Sequence, residues 1–241
     1  MRAFGIDLAG YTCGTSVCAE AATARTGSVS VRVIAQCPFS RARQTGERLQ
    51  PILDEEASFL RQMLARGPIA VDIPIDLQGL PQTVRAEQVW ELTLRPIDRV
   101  LNAMPPFADR IGAPVARFQK ILRRAKLRAA VGTSIFETYP AANLRNLQTS
   151  RDALRESWRD RERTELNNDE VDAAICALTA LARDGHRLAE TALATKLQPE
   201  FERRRMSRRD LPQGYVLLQD MPVGEVTVAR INAADWCAET A

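Results

Sequence analysis

Phe4-Gly5-Ile6-Asp7-Leu8-Ala9-Gly10 is a short apolar run that meets an acid and passes into glycine. It reads as a buried strand, and a carboxylate there is costly unless it has a task or a partner. The signature returns at Ile69-Ala70-Val71-Asp72-Ile73-Pro74. A third acidic element, Asn168-Asp169-Glu170-Val171-Asp172, opens the clearest amphipathic helix of the chain. If the three meet in space, the chain carries a carboxylate cluster that calls for a divalent cation.

Outward from the first run, a strand over 15–22 and another over 29–36 follow at short intervals, with Gly27 in the turn between them. Val29, Val31, Val33 and Ala35 alternate with other residues at period two, with one slip at Ile34. Turns this short predict an antiparallel meander. Leu49, Ile52, Leu53, Ala57, Leu60 and Leu64 recur at helical spacing, and Gly67-Pro68 stops that helix. The run 69–73 then suits a central strand buried on both faces. A helical crossover sets this strand parallel to the first and turns Asp7 and Asp72 towards one site.

Residues 74–132 hold prolines 74, 81, 96, 105, 106 and 114, and read as a helical insertion or cap ending in a helix over 117–130. A fifth strand over 133–139 presents Glu137 and stops at Pro140. The segment 144–166 is charge-laced and partly helical. The helix over 169–184 carries Val171, Ala174, Ile175, Leu178, Leu181 and Ala182 on one stripe, with Asn167 or Asn168 as its cap and Gly185 as its stop. Residues 186–241 form a C-terminal extension with short strands at 213–218 and 225–231, read as a hairpin. No repeat or long linker divides the chain, so 1–241 reads as one domain.

Composition narrows the chemistry. Among 241 residues there is one histidine, His186, beside a helix end, so catalysis falls to carboxylates, metals, lysines or hydroxyls. The cysteines at 13, 18, 37, 176 and 237 form no C-x-x-C pair, which argues against zinc and a disulfide framework and for a reducing cytoplasm. The N-terminus lacks a signal-peptide apolar core, and no run of about 18 apolar residues predicts a membrane span. A net charge of +3 neither demands nor excludes nucleic acid.

Asp169 and Asp172 are three apart and hence neighbours on a helix surface; in the first turn they also suit the helix dipole. With Asp7 and Asp72 they make an all-oxygen set that would stay partly protonated without a cation and suits Mg2+ or Mn2+. Two such ions, roughly 4 Å apart, activate water and stabilise the leaving oxygen of a phosphodiester. Arg117, Lys120, Arg124 and Arg128 form a basic stripe that is either a solvated face or a phosphate contact. Arg95 and Asp98 are either an oriented phosphate ligand or an ordinary surface pair. The run Glu202–Arg209, with five arginines, is either a backbone-tracking or a solvated segment.

Three strands, a helix and two further strands, with acids on strands one and four and on a late helix, resemble the RNase H-like fold. The pair Asp169-x-x-Asp172 resembles the late-helix acids of RuvC-type resolvases. More closely, Gly5-Ile6-Asp7, Val71-Asp72-Ile73-Pro74, Arg95-Pro96-Ile97-Asp98-Arg99, Phe136-Glu137-Thr138-Tyr139-Pro140 and Asp169-Glu170-Val171-Asp172-Ala173, running into Cys176-Ala177-Leu178-Thr179-Ala180, resemble the domain of unknown function 429 family, regarded as RNase H-like nucleases. The resemblance covers most of residues 3–183. It implies an α/β fold with a mixed five-stranded sheet, antiparallel in strands 1–3 and parallel in 4–5. It also implies a site at Asp7, Asp72, Glu137, Asp169 and Asp172, and a DNA or RNA partner. Two departures stand out: no Gly-Trp follows Asp7, and Asp76 stands where a glycine is usual. A nucleotide-binding phosphotransferase of the actin and sugar-kinase type and a non-catalytic nucleic-acid-binding protein are the alternatives.

Overall fold

A computed structural model describes residues 1–11, 15–41, 43–44, 46–75, 94–104, 109–158, 165–182 and 226–239, with isolated positions 195, 198, 199 and 202. The expected strand at 213–218, the arginine run from 203, His186, Asp76 and the helix stop at Gly185 lie outside these residues.

The fold is α/β. The meander is β1 (Arg2–Asp7), β2 (Val17–Thr23) and β3 (Val29–Ala35). Helix α1 (Leu49–Leu64) crosses to β4 (Ile69–Val71). Then come α2 (Pro96–Val100), α3 (Asp109–Ala125), β5 (Ile135–Glu137), α4 (Pro140–Asn146), α5 (Arg151–Ser157) and α6 (Asn168–Leu181). The described chain closes with β6 (Thr227–Asn232) and α7 (Ala233–Ala238). The sheet order is β5-β4-β1-β2-β3-β6, with β1–β3 antiparallel and β4 and β5 parallel to β1. This is the RNase H-like arrangement expected from the sequence, with one addition. The C-terminal strand is a sixth, parallel to β3.

Period two sorts side chains between two cores. Ala3, Val17, Ala19, Val31, Val33, Ala70 and Phe136 face α6. Phe4, Ile6, Cys18, Ile34, Ile69, Val71 and Ile135 face α1, α3 and Trp236 of α7. The slip noted at Ile34 is therefore no irregularity, because the sheet is covered on both sides and Ile34 packs into the second core. The proline-rich stretch, expected as a cap, reaches the core as well. Val115, Phe118, Ile121 and Leu122 of α3 are buried there.

Helix α6 is nearly all buried, which matches its continuous Val, Ala, Ile, Leu and Cys content. Asn167 caps it, accepting from the Glu170 backbone N–H while the Glu170 side chain accepts from the Asn167 backbone. Arg230 of β6 grips the same Glu170 at 2.7 and 2.8 Å. Helix α6 crosses β1 closely because of Gly5. A Cβ there would lie 2.1 Å from the Ala173 carbonyl oxygen and 2.2 Å from the Ala177 nitrogen.

Candidate functional site

The register places Ile6 beside Val71, and the Asp72 N–H donates to the Ile6 carbonyl at 2.9 Å. Asp7 and Asp72 are therefore lateral neighbours at the carboxyl ends of adjacent parallel strands, where spacing is about 4.8 Å. By parity, Asp7 lies on the same face as Ala3 and Gly5, and Asp72 on the same face as Ala70, which is the α6 face. The first turns of α6 bring Asp169 and Asp172 to that end of the sheet. Four carboxylates from three elements feel one another there.

Their electrostatics express that crowding. The Asp7 carboxyl is held well above its usual range, first by burial and then by Asp72, Asp172 and Asp169. Asp72 is raised by burial and next by Asp172. Asp169 is raised by burial, then by Asp172 and Glu170. Asp172 is raised by burial, opposed by Arg151. Among the described residues, neither Asp7 nor Asp72 accepts a side-chain hydrogen bond.

Asp172 differs. Arg151, at the start of α5, donates from Nε to Oδ1 at 2.7 Å and from Nη2 to Oδ2 at 2.8 Å. Its guanidinium also feels Asp72 and Asp7. No sequence signal marks Arg151, which sits in a charge-laced segment where no residue stands out.

As donors, the aspartates fit a hard divalent cation: all are oxygen ligands, and among the described residues two accept no side-chain hydrogen bond. As a cage they are incomplete. Among the described residues, no three acidic, histidine or cysteine side chains are grouped to hold one ion. The convergence expected from the sequence is thus one of shared field, with Arg151 closed over one member, and not of a ready-made ligand cluster.

The other expected site residues are placed elsewhere. Glu137 follows Ile135 at period two and so lies on the opposite face of the sheet from Phe136 and the aspartates. It accepts from the Ile75 N–H at 2.9 Å and from Arg95 at 2.5 and 3.0 Å. Arg95, only 1% exposed, also donates to Asp98 at 2.6 and 2.9 Å. The Arg95–Asp98 pair is therefore neither a surface pair nor an open phosphate ligand, but part of a buried ion network that includes Glu137.

The basic stripe likewise belongs to the α1 and α3 side. Arg117 is buried and donates to Glu56 at 2.6 Å, to the Ala9 and Phe39 carbonyls at 2.7 and 3.0 Å, and to the Ser16 hydroxyl at 3.0 Å. Tyr11 donates to the other Glu56 oxygen at 2.8 Å. Arg124 pairs with Asp54, Arg128 donates to Gln119 at 2.8 Å, and Lys120 is exposed.

A cavity of about 110 Å3 adjoins Asp72. Its lining includes Asp72, the Arg95–Asp98–Glu137 network, Tyr139 and apolar Leu101. Met104, 41% exposed, lines it as well. A larger open hollow of about 850 Å3 is lined by Cys37, Phe59, Gln62 and Cys237 and contains none of the expected site residues.

No family model matches the chain, and no curated protein matches it. Among solved structures, the chain is similar to one described as "Thermus thermophilus RuvC structure", at 14% identity and a TM-score of 0.41, over 77% of this chain and 97% of that one. The fold assignment rests on the strand order and directions given above.

Proposed function

We propose that this chain is a divalent-metal-dependent nuclease that hydrolyses phosphodiester bonds in DNA or RNA, related to the domain of unknown function 429 family. One observation carries the reading. Asp7 and Asp72 sit side by side on one face, without side-chain hydrogen-bond partners among the described residues, and each is held above its normal ionisation range by burial and by its neighbours. Such an arrangement costs stability in the absence of a cation, and a cation relieves it.

Asp7 and Asp72 would anchor Mg2+ or Mn2+, with Asp169 and Asp172 completing the ligand set from α6. When bound, the metal supplies a water of lowered pKa and charge stabilisation at the leaving oxygen. The chain's residues do the rest. Asp7 and Asp72 fix the position through the sheet, and α6 fixes Asp169 and Asp172 relative to them. Among the described residues that line the cavity beside Asp72, Asp98 and Glu137 are already paired with Arg95, which leaves Asp72 as the unpaired charge there. Glu137 and Arg117, tied into buried ion networks, hold the fold together in this reading. A cytoplasmic setting is part of it; among the described residues no helix is long and apolar enough to cross a membrane.

A non-catalytic nucleic-acid-binding role is the second reading, favoured by the Arg151 clasp on Asp172. Calorimetric titration with Mn2+ separates the two. We expect the wild type to bind and the Asp7→Asn, Asp172→Asn double variant to lose that binding. Metal-dependent cleavage of single-stranded or structured nucleic acid should then disappear in the same variant. Equal Mn2+ binding by both proteins would turn the case to the second reading.

A further inference from the structure

We propose that Arg151 is the resident counter-ion of the aspartate site and is displaced from Asp172 when a divalent cation binds. This rests on the metal-site reading above and adds a residue that neither the motifs nor the resemblance indicated.

The geometry is specific. The guanidinium meets both Asp172 oxygens in a parallel fork, 2.7 and 2.8 Å long. That fork occupies the in-plane lone pairs that a chelated cation would need. Among the described residues, Asp7, Asp72 and Asp169 have no such cation of their own. Arg151 is also the cation that all three of Asp172, Asp72 and Asp7 act on. Among the described residues, one positive charge therefore stands in for what four carboxylates call for.

The pair is also built to open. Arg151 is the first residue of a seven-residue helix capped by Ser150, whose hydroxyl accepts from the Ala153 N–H. Leu154 and Trp158 anchor that helix in the α6-side core. The backbone is thus fixed, while the Arg151 side chain remains 34% exposed and has solvent to swing into. Its neighbour Asp172 is only 12% exposed and sits on a helix held against β1. When the clasp opens, the arginine moves and the carboxylate stays. The released guanidinium then stands beside a metal site that is taking up a phosphodiester, where a planar two-pronged donor is the natural partner for non-bridging phosphate oxygens.

The test is Mn2+ titration by calorimetry on wild type, Arg151→Gln, Arg151→Lys, Asp7→Asn and Asp72→Asn, with circular dichroism to check folding. Arg151→Gln removes the competitor, and we expect its Mn2+ affinity to rise about tenfold or more, with Arg151→Lys between it and the wild type. A second readout is independent of binding heat. Metal-free Arg151→Gln should melt below the wild type at neutral pH, and saturating Mn2+ should close that gap. If Arg151→Gln does not fold without metal, the Arg151→Lys affinity decides.

Wild-type or weaker Mn2+ affinity in both Arg151 variants, with binding still lost in Asp7→Asn, would overturn the counter-ion role and leave the metal site standing. Binding that survives in both Asp7→Asn and Asp72→Asn would overturn the site itself, and the proposal with it. No binding in the wild type but clear binding in Arg151→Gln would support the proposal most directly. No binding in either would refute it.

Discussion

Gly5→Ala is the substitution that most directly couples fold to site. The added Cβ would stand 2.1 Å from the Ala173 carbonyl oxygen and 2.2 Å from the Ala177 nitrogen. Real Cβ contacts essentially never fall under 3.0 Å, so α6 must retreat by about 0.9 Å. Both clashing atoms are backbone, so no rotamer change relieves them. Overpacking of this kind costs about 1–3 kcal/mol, and the backbone contact argues for the upper half. For a chain of this length that corresponds to roughly 5–10 °C in melting temperature. The retreat also carries Asp169 and Asp172 away from Asp7, so Mn2+ affinity should fall along with stability. The control is Gly46→Ala, where nothing lies within 4 Å. Thermal melting and Mn2+ calorimetry on the two variants make the comparison. If Gly5→Ala melts with Gly46→Ala and binds Mn2+ like the wild type, then α6 is not seated by Gly5 and the argument fails.

Other expectations follow from the same contacts. Asp7 and Asp72 are raised above their ordinary value of 3.8, so the folded state holds protons that the unfolded state releases. Their contribution is full below about pH 4 and is lost as pH rises through the folded values. Metal-free protein should therefore lose stability through these groups as pH rises above the ordinary carboxylate range, and Asp7→Asn should melt higher than the wild type in alkaline buffer; melting in chelator in acidic and in alkaline buffer checks this. Glu137→Gln leaves Arg95 short of charge in a buried network, and should cost about 3–5 kcal/mol in denaturant unfolding. Glu56→Gln should cost a similar amount by stranding Arg117. Lys120→Ala with Arg128→Ala, on the α1 and α3 side, should leave Mn2+ affinity unchanged by calorimetry and the salt dependence of nucleic-acid binding unchanged in a fluorescence titration.

Asp7 and Asp72 were legible in the sequence because each breaks an apolar strand pattern, and the cost of a buried charge makes such breaks informative. Glu137 looks equivalent on that test, yet β5 puts it on the opposite side of the sheet from Phe136. Only the register, which sets which residues share a face, separates it from the aspartates. Arg117 was grouped with Lys120, Arg124 and Arg128 as a stripe on one helix. What distinguishes it is Glu56, an acid on the buried side of α1 between Leu53 and Leu60, which obliges a cation to come to it. That signal lies in α1 and not in α3, which carries most of the stripe. Arg151 had no such signal, because it lies among arginines at 155, 159, 161 and 163. The parallel pairing of β6 was equally hidden, since alternation marks a strand but not its partner.

That pairing governs when the molecule is able to assemble. Val31 of β3 is matched with Val228 of β6, about two hundred residues later. Glu20 of β2 ties the two ends of the described chain together: it takes Arg2 at 3.3 Å, Arg32 at 2.6 Å and the Trp236 indole N–H at 2.9 Å. Until residues 226–239 have been synthesised and have cleared the ribosome, the edge of β3 lacks β6 and the apolar socket around Phe4 and Phe59 lacks Trp236. The first strands made wait for the last, and a ribosome stalled before residue 226 would carry a nascent sheet with an exposed edge, a natural client for chaperones.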